Sequence, residues 1–169
     1  MNGMDRRTAV RLVTTLLALL VPSLFVLDRA RAGGDHFYPP VNDPVVAEEC
    51  GGCHLAFSPA MLPARSWQAM MANLEDHFGD DASLSPPTVA HIERYLVERA
   101  ADAGGARYAS RLLRGVTEAQ TPLRITTLPR WEREHREVTR AEWADPKVGS
   151  KANCAACHRD AERGYFDDD

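Results

Sequence analysis

The chain has 169 residues, 44% of them apolar and 26% charged, with 24 acidic against 20 basic side chains and a net charge of −4. That apolar share excludes a disordered chain, and the length allows one or two small domains with a core. The acidic balance argues against a nucleic-acid-binding protein, which needs cationic side chains to neutralise phosphates.

Arg6, Arg7 and Arg11 precede a largely apolar run over residues 12–27, and Ala30-Arg31-Ala32 closes it with small residues at the two positions a signal peptidase reads. This pattern predicts a cleaved secretory signal over residues 1–32. The run of 16 residues is interrupted by Pro22 and falls short of the roughly 20 needed for a membrane anchor, the competing reading. Removal of that segment leaves 15 basic against 22 acidic residues, a net −7, which suits a docking surface for a basic protein.

His36 follows in Asp35-His36-Phe37-Tyr38-Pro39-Pro40, a sequence suited to lying against the body of the protein. Asp43-Pro44 predicts a helix start, with Asp as N-cap and Pro in the first turn. That helix carries, on or at its end, Cys50-Gly51-Gly52-Cys53-His54. A Pro- and Ala-rich loop over 58–63 contains Met61. Trp67, Met70, Met71, Leu74 and Phe78 then recur at helical spacing up to Gly79, with His77 on the same face. Ser85-Pro86 opens another helix with Val89, Ile92 and Leu96 in one stripe and His91 about a quarter-turn away.

Gly104-Gly105 is the predicted boundary between residues 33–104 and residues 105–169. Beyond it the pattern predicts a helix over 108–116, an extended stretch over 123–128 and a short helix over 131–138. His135 shares the apolar side of that last helix with Trp131 and Val138. Gly149-Ser150 offers a cap for a final helix bearing Cys154-Ala155-Ala156-Cys157-His158 and ended by Gly164, before a solvated Asp167-Asp168-Asp169 tail.

Two Cys-x-x-Cys-His pentapeptides use all four cysteines. This spacing is the c-type haem attachment motif: positions i, i+3 and i+4 share one helix face, so both thiols can add to the porphyrin vinyl groups while the histidine takes the iron. A zinc site would leave the histidine after each second cysteine unexplained, and a thioredoxin-type redox pair would need a βαβ pattern that is absent from the sequence. Haem is attached covalently outside the bacterial cytoplasm, so the predicted export and the motifs support one another. The expected architecture is mainly α, with few or no strands and two small haem lobes that are not repeats. The first motif lies near the start of its half, whereas the second lies near the chain end and must draw its pocket from upstream residues.

With His54 and His158 as proximal ligands, the candidates for the far side of each iron are His77 and His135, with His36 in reserve. For His77 the competing role is a helix-end histidine between Asp76 and Asp80; for His135 it is a core histidine. Met61 is the methionine alternative at the first haem. Met70 and Met71 read as core, and His91 as surface.

Glu49-Cys50-Gly51-Gly52-Cys53-His54-Leu55-Ala56-Phe57, Leu62-Pro63-Ala64-Arg65-Ser66-Trp67 and Asp76-His77-Phe78-Gly79-Asp80-Asp81-Ala82 resemble the periplasmic dihaem cytochrome c family of proteobacteria. Glu134-His135-Arg136-Glu137 and Val148-Gly149-Ser150-Lys151-Ala152-Asn153-Cys154-Ala155-Ala156-Cys157-His158 continue the likeness. The resemblance implies an N-terminal lobe like a small class I cytochrome c and a C-terminal lobe of less usual shape. It also implies bis-histidine ligation at both irons, without fixing which distal histidine serves which iron. A membrane b-type cytochrome is the implied donor, and a small monohaem c-type protein that can bind oxygen the implied acceptor. The expected function is therefore low-potential electron transfer by a carrier and not an enzyme. The alternative is a haem enzyme or gas sensor with one open, five-coordinate iron.

Overall fold

In the computed structural model the described residues are 36–104 and 107–167; the expected signal segment lies outside them. Among the described residues there are six α-helices, five 3-10 turns and no strand, so the chain is mainly helical as the sequence predicts. The expected lobe boundary at Gly104-Gly105 falls between the helices Pro86–Glu98 and Arg107–Leu112.

Helix α1 (Pro44–Gly51) begins where Asp43 and Pro44 predict. The Asp43 carboxylate accepts from the Val45 and Val46 amides at 3.0 and 3.1 Å, satisfying two of the amides that a helix start leaves without an internal partner. Those amide bonds lower the Asp43 pKa, and His91 lowers it further. His91 is half-buried, and its Nε2 lies 2.9 Å from Asp43. It thus ties α1 to α3 (Pro86–Glu98) from a partly exposed position. Tyr95 adds a second tie, donating its hydroxyl to Asn42 Oδ1 at 2.8 Å.

Helix α2 (Ala64–Met71) packs along α3. Trp67, Met71 and Leu74 meet Ile92, Tyr95 and Leu96, the buried stripe of α3, in one apolar cluster. The Trp67 indole N–H donates to the Pro59 carbonyl at 2.8 Å, which anchors the 3-10 turn Pro59–Met61 beneath it.

The predicted helix through Phe78 ends early. After Ala72, Asn73 leaves the helical region (φ −141°, ψ 48°), and a 3-10 turn, Leu74–Asp76, takes over. Asn competes with the helical backbone for hydrogen bonds, which favours such a break. Leu74 remains buried, but Phe78 turns outward, exposed and at φ 60°.

Helix α4 (Arg107–Leu112) and helix α5 (Pro129–Glu134) follow, the latter with Pro129 in its first turn and Trp131 in the core. Leu112, Leu128 and Trp131 join the same apolar cluster as Val46 and Ile92, so one core runs across the predicted boundary. Arg65 fastens that junction, donating to the Gln120 and Thr117 carbonyls at 2.6 and 3.0 Å and pairing with Asp102 at 3.5 Å.

Two further expectations need correction. The stretch over 123–128 contains a 3-10 turn, Ile125–Thr127, in place of extended chain; the Thr127 and Leu128 amides donate back to the Arg124 and Ile125 carbonyls. The predicted final helix is two 3-10 turns, Cys154–Ala156 and Ala161–Arg163. There Asn153 Nδ2 donates to the Val148 carbonyl at 3.0 Å and Ser150 Oγ accepts from Ala152, local bonds that satisfy the backbone without a helix. A helix absent from the sequence reading, α6 (Arg140–Trp143), stands on a Thr139–Glu142 capping box.

Ile92 is fully buried at the centre of the shared cluster. Ile92→Ala is expected to cost about 2–5 kcal/mol, read as a lower denaturation midpoint of the holoprotein. The Asp43 cap sets a pH dependence as well. Its pKa is depressed when folded, so its stabilisation is complete above the ordinary carboxylate value of 3.8 and is lost as pH falls below it. Asp43→Asn, which still caps, is expected to show a smaller loss of thermal midpoint than the wild type over that acid range.

Candidate haem sites

Cys50 lies in the last turn of α1 and Gly52 is its C-cap, so Cys53 and His54 stand just beyond the helix end. The His54 Nδ1–H donates to the Leu55 carbonyl at 2.8 Å, and the ring lies over Phe57 at 5.2 Å. Burial raises the pKa of the free Cys50 thiol, with Glu49 adding to the effect.

Opposite His54 stands His77, with ring centres 6.2 Å apart and planes at 22°. A tight turn positions it. The His77 amide donates to the Asp80 carbonyl at 2.8 Å and the Asp80 amide returns at 3.3 Å. Phe78 (φ 60°) and Gly79 (φ 106°) fill the two left-handed central positions. Glycine takes that conformation freely, but phenylalanine does not. The Arg124 guanidinium lies 3.9 Å over the Phe78 ring, and that ring meets His77 edge-on. Burial lowers the His77 pKa, and His54 and Arg124 push the same way against Asp80. The imidazole is thereby kept neutral, the form a metal ion needs.

The second motif rests on the 3-10 turn Cys154–Ala156, and the His158 amide donates to the Cys154 carbonyl at 2.9 Å. Its Nδ1–H reaches the Asp167 carbonyl at 3.3 Å, and Phe166 lies against its ring. Burial raises the Cys154 pKa. Opposite stands His135, with ring centres 6.1 Å apart and planes at 80°. The His135 Nδ1–H donates to the Trp131 carbonyl at 2.9 Å, and its ring stacks on the Trp131 indole at 4.0 Å and 15°. Trp143, placed by α6, stands 6.1 Å from the His135 ring and 5.8 Å from the Trp131 ring.

Carbonyl oxygens only accept, so His54, His158 and His135 each carry a proton on Nδ1 and present Nε2 as a lone pair. Two imidazoles on opposite sides of one metal, each bound at about 2.0–2.1 Å, place their ring centres about 6.3 Å apart. Both pairs fit that spacing.

The His36 carbonyl accepts from the Phe166 amide at 3.1 Å, and the Tyr38 amide donates to Gly164 at 2.8 Å. The predicted strap is therefore present, but it lies along residues 164–166, and among the described residues the His36 ring is paired with neither motif histidine. Met61 is buried in the apolar cluster, as is Met71, with Met70 packed against it. The sequence reading did not find the Trp131–Trp143 pair beside His135. The only available signal was Thr139-x-x-Glu142, which positions Trp143.

The sequence profile described as "Dihaem cytochrome c" matches residues 46–166. The chain belongs to the dihaem cytochrome c family. A diheme cytochrome c from Rhodobacter sphaeroides is similar at 50% identity and TM-score 0.70, covering 76% of this chain and 99% of its own. A second structure from that organism, described as DHC, has 46% identity, TM-score 0.63 and coverage of 75% and 99%. A diheme c-type cytochrome from Shewanella baltica OS155 follows at 40%, TM-score 0.59 and coverage of 73% and 86%. No curated protein matches the chain. As a member of this family it carries two covalently bound c-type haems with their iron.

The strap at the second site passes closely over Gly164. A Cβ at Gly164 would lie 2.1 Å from the Tyr38 carbonyl oxygen, and its φ is +86°. Gly164→Ala is expected to cost at least about 1–3 kcal/mol from backbone conformation alone and to release residues 37–38. Faster limited proteolysis of the holoprotein near its N-terminus is the readout.

Proposed function

We propose that this dihaem cytochrome is a low-potential periplasmic electron carrier with two histidines on each iron. His54 and His77 would hold the first haem, and His158 and His135 the second. Cys50, Cys53, Cys154 and Cys157 would attach the two haems as thioethers. The supporting observation is the facing of two imidazole pairs at 6.2 and 6.1 Å, an arrangement that would leave each iron no open position for substrate. The bound haems supply a one-electron Fe(III)/Fe(II) couple.

The chain's own contribution is to hold those ligands and set their basicity. Nδ1–H bonds to the Leu55, Trp131 and Asp167 carbonyls fix the tautomer whose Nε2 would bind iron. Imidazole in place of a methionine thioether keeps the potential low, since methionine raises it. The two sites have different surroundings, with Phe57 and Phe78 at one and Trp131 and Trp143 at the other, which would separate their potentials.

Residues 1–32 would direct export and then be removed. By likeness to the family, the donor would be a membrane b-type cytochrome and the acceptor a small monohaem c-type protein. An acidic mature chain would be steered toward a basic acceptor, with association weakening as salt is raised.

The test is a low-temperature EPR spectrum of the oxidised protein with a near-infrared spectrum beside it. Two low-spin signals and no methionine-to-iron band are expected, together with no carbon monoxide binding by the reduced protein. A high-spin signal with carbon monoxide uptake would move the protein to the haem-enzyme or gas-sensor class. His77→Ala is expected to open one iron only, giving a high-spin signal and uptake of one carbon monoxide per chain.

A further inference from the structure

Resting on the bis-histidine reading, we propose that the chain makes its two irons electronically unlike by the angle between their ligand planes. Trp131 is the positioning residue that sets the unusual one. The His54 and His77 planes lie at 22°, close to parallel, whereas the His135 and His158 planes lie at 80°, close to perpendicular.

An imidazole on a metal turns freely about the metal–nitrogen bond unless its surroundings hold it, so each angle must come from contacts of the rings themselves. At the first site His54 follows the Phe57 ring at 27°, and His77 is held by the turn that closes at Asp80 and by Phe78 edge-on at 61°. At the second site His135 has no such freedom. Its Nδ1–H is tied to the Trp131 carbonyl one helical turn earlier, and its ring lies against the indole of the same residue at 15°. Trp131 is itself held in the core at 8% exposure, with the Trp143 ring 5.8 Å away. The plane of His135 is thus the plane of a core tryptophan. His158 takes its own plane from a different part of the chain, through the Asp167 carbonyl and the edge of Phe166.

The angle matters because the π orbital of an imidazole stands perpendicular to its ring and overlaps the iron d orbital pointing the same way. Parallel rings act on the same d orbital and split it from its neighbour. Perpendicular rings act on one each and leave the pair nearly level. In low-spin Fe(III) the first arrangement gives an ordinary EPR spectrum with three resolved features. The second preserves orbital angular momentum and gives a strongly anisotropic signal with one dominant low-field feature. The two arrangements also stabilise the oxidised iron unequally, so the chain has a means of splitting the potentials independent of burial.

The test is EPR of the oxidised holoprotein. The wild type is expected to show one signal of each kind in equal amounts. His135→Ala is expected to abolish the anisotropic signal and leave the three-featured one. Trp131→Leu is expected to shift or broaden the anisotropic signal alone, and Trp131→Phe, which keeps a flat ring beneath His135, to preserve it. Two ordinary low-spin signals in the wild type would overturn the inference while leaving bis-histidine ligation intact. A high-spin signal would instead overturn that ligation. Loss of the three-featured signal in His135→Ala would overturn the assignment to the C-terminal site. Should Trp131→Leu fail to fold, Trp131→Phe and the wild-type spectrum still decide: loss of the anisotropic signal in Trp131→Phe overturns the role given to the stacked ring. A Trp131→Leu spectrum identical to wild type would also overturn it.

Discussion

The facing of His54 with His77, and of His135 with His158, is the constraint on which the rest of the structure depends. Two rings about 6 Å apart make no packing contact with each other, so the elements that carry them bring them to that spacing. At the first site those are the end of α1 and the turn after α2, both seated on α3: α1 through the His91–Asp43 and Tyr95–Asn42 contacts, α2 through the buried Trp67, Met71 and Leu74 stripe. The apolar core under those elements keeps the two rings in place.

The second site meets the same demand with much less helix. Both Cys154 and His158 stand on single turns held by side-chain bonds from Asn153 and Ser150, and the N-terminal strap closes over them through Gly164. A segment of this kind has little apolar surface of its own to bury. Trp131 belongs at once to the common core and to the stack on His135. One buried residue therefore links the stability of the fold to the orientation of the His135 ring.

Electrostatics and hydrogen bonding act together at the histidines. Three of the four have Nδ1–H committed to a carbonyl. His77 differs: burial and the neighbouring His54 and Arg124 keep it neutral. The first route leaves Nε2 unprotonated and the second keeps the ring neutral, and a metal ligand requires a neutral imidazole. Phe78 in the left-handed region beside His77 is backbone strain stored next to a candidate ligand, a place where surrounding structure has to over-determine the conformation.

The sequence by itself determined what depends on short-range chemistry. The haem class follows from two Cys-x-x-Cys-His motifs that leave no cysteine over. The start of α1 follows from Asp43-Pro44, and the stripe of α3 from Val89, Ile92 and Leu96, because caps and helical periodicity are local properties. His77 and His135 could be picked out as candidates from their neighbours. Only the tertiary structure decided which ring faces which, since the partners lie more than twenty residues apart and their approach is set by the packing of α2 on α3 and by Trp131 in the core. It also decided that residues 124–127 and 150–164 form turns where propensity suggested extended chain and helix. In those stretches side-chain and turn hydrogen bonds compete with regular structure on nearly equal terms, and contacts distant in sequence settle the balance.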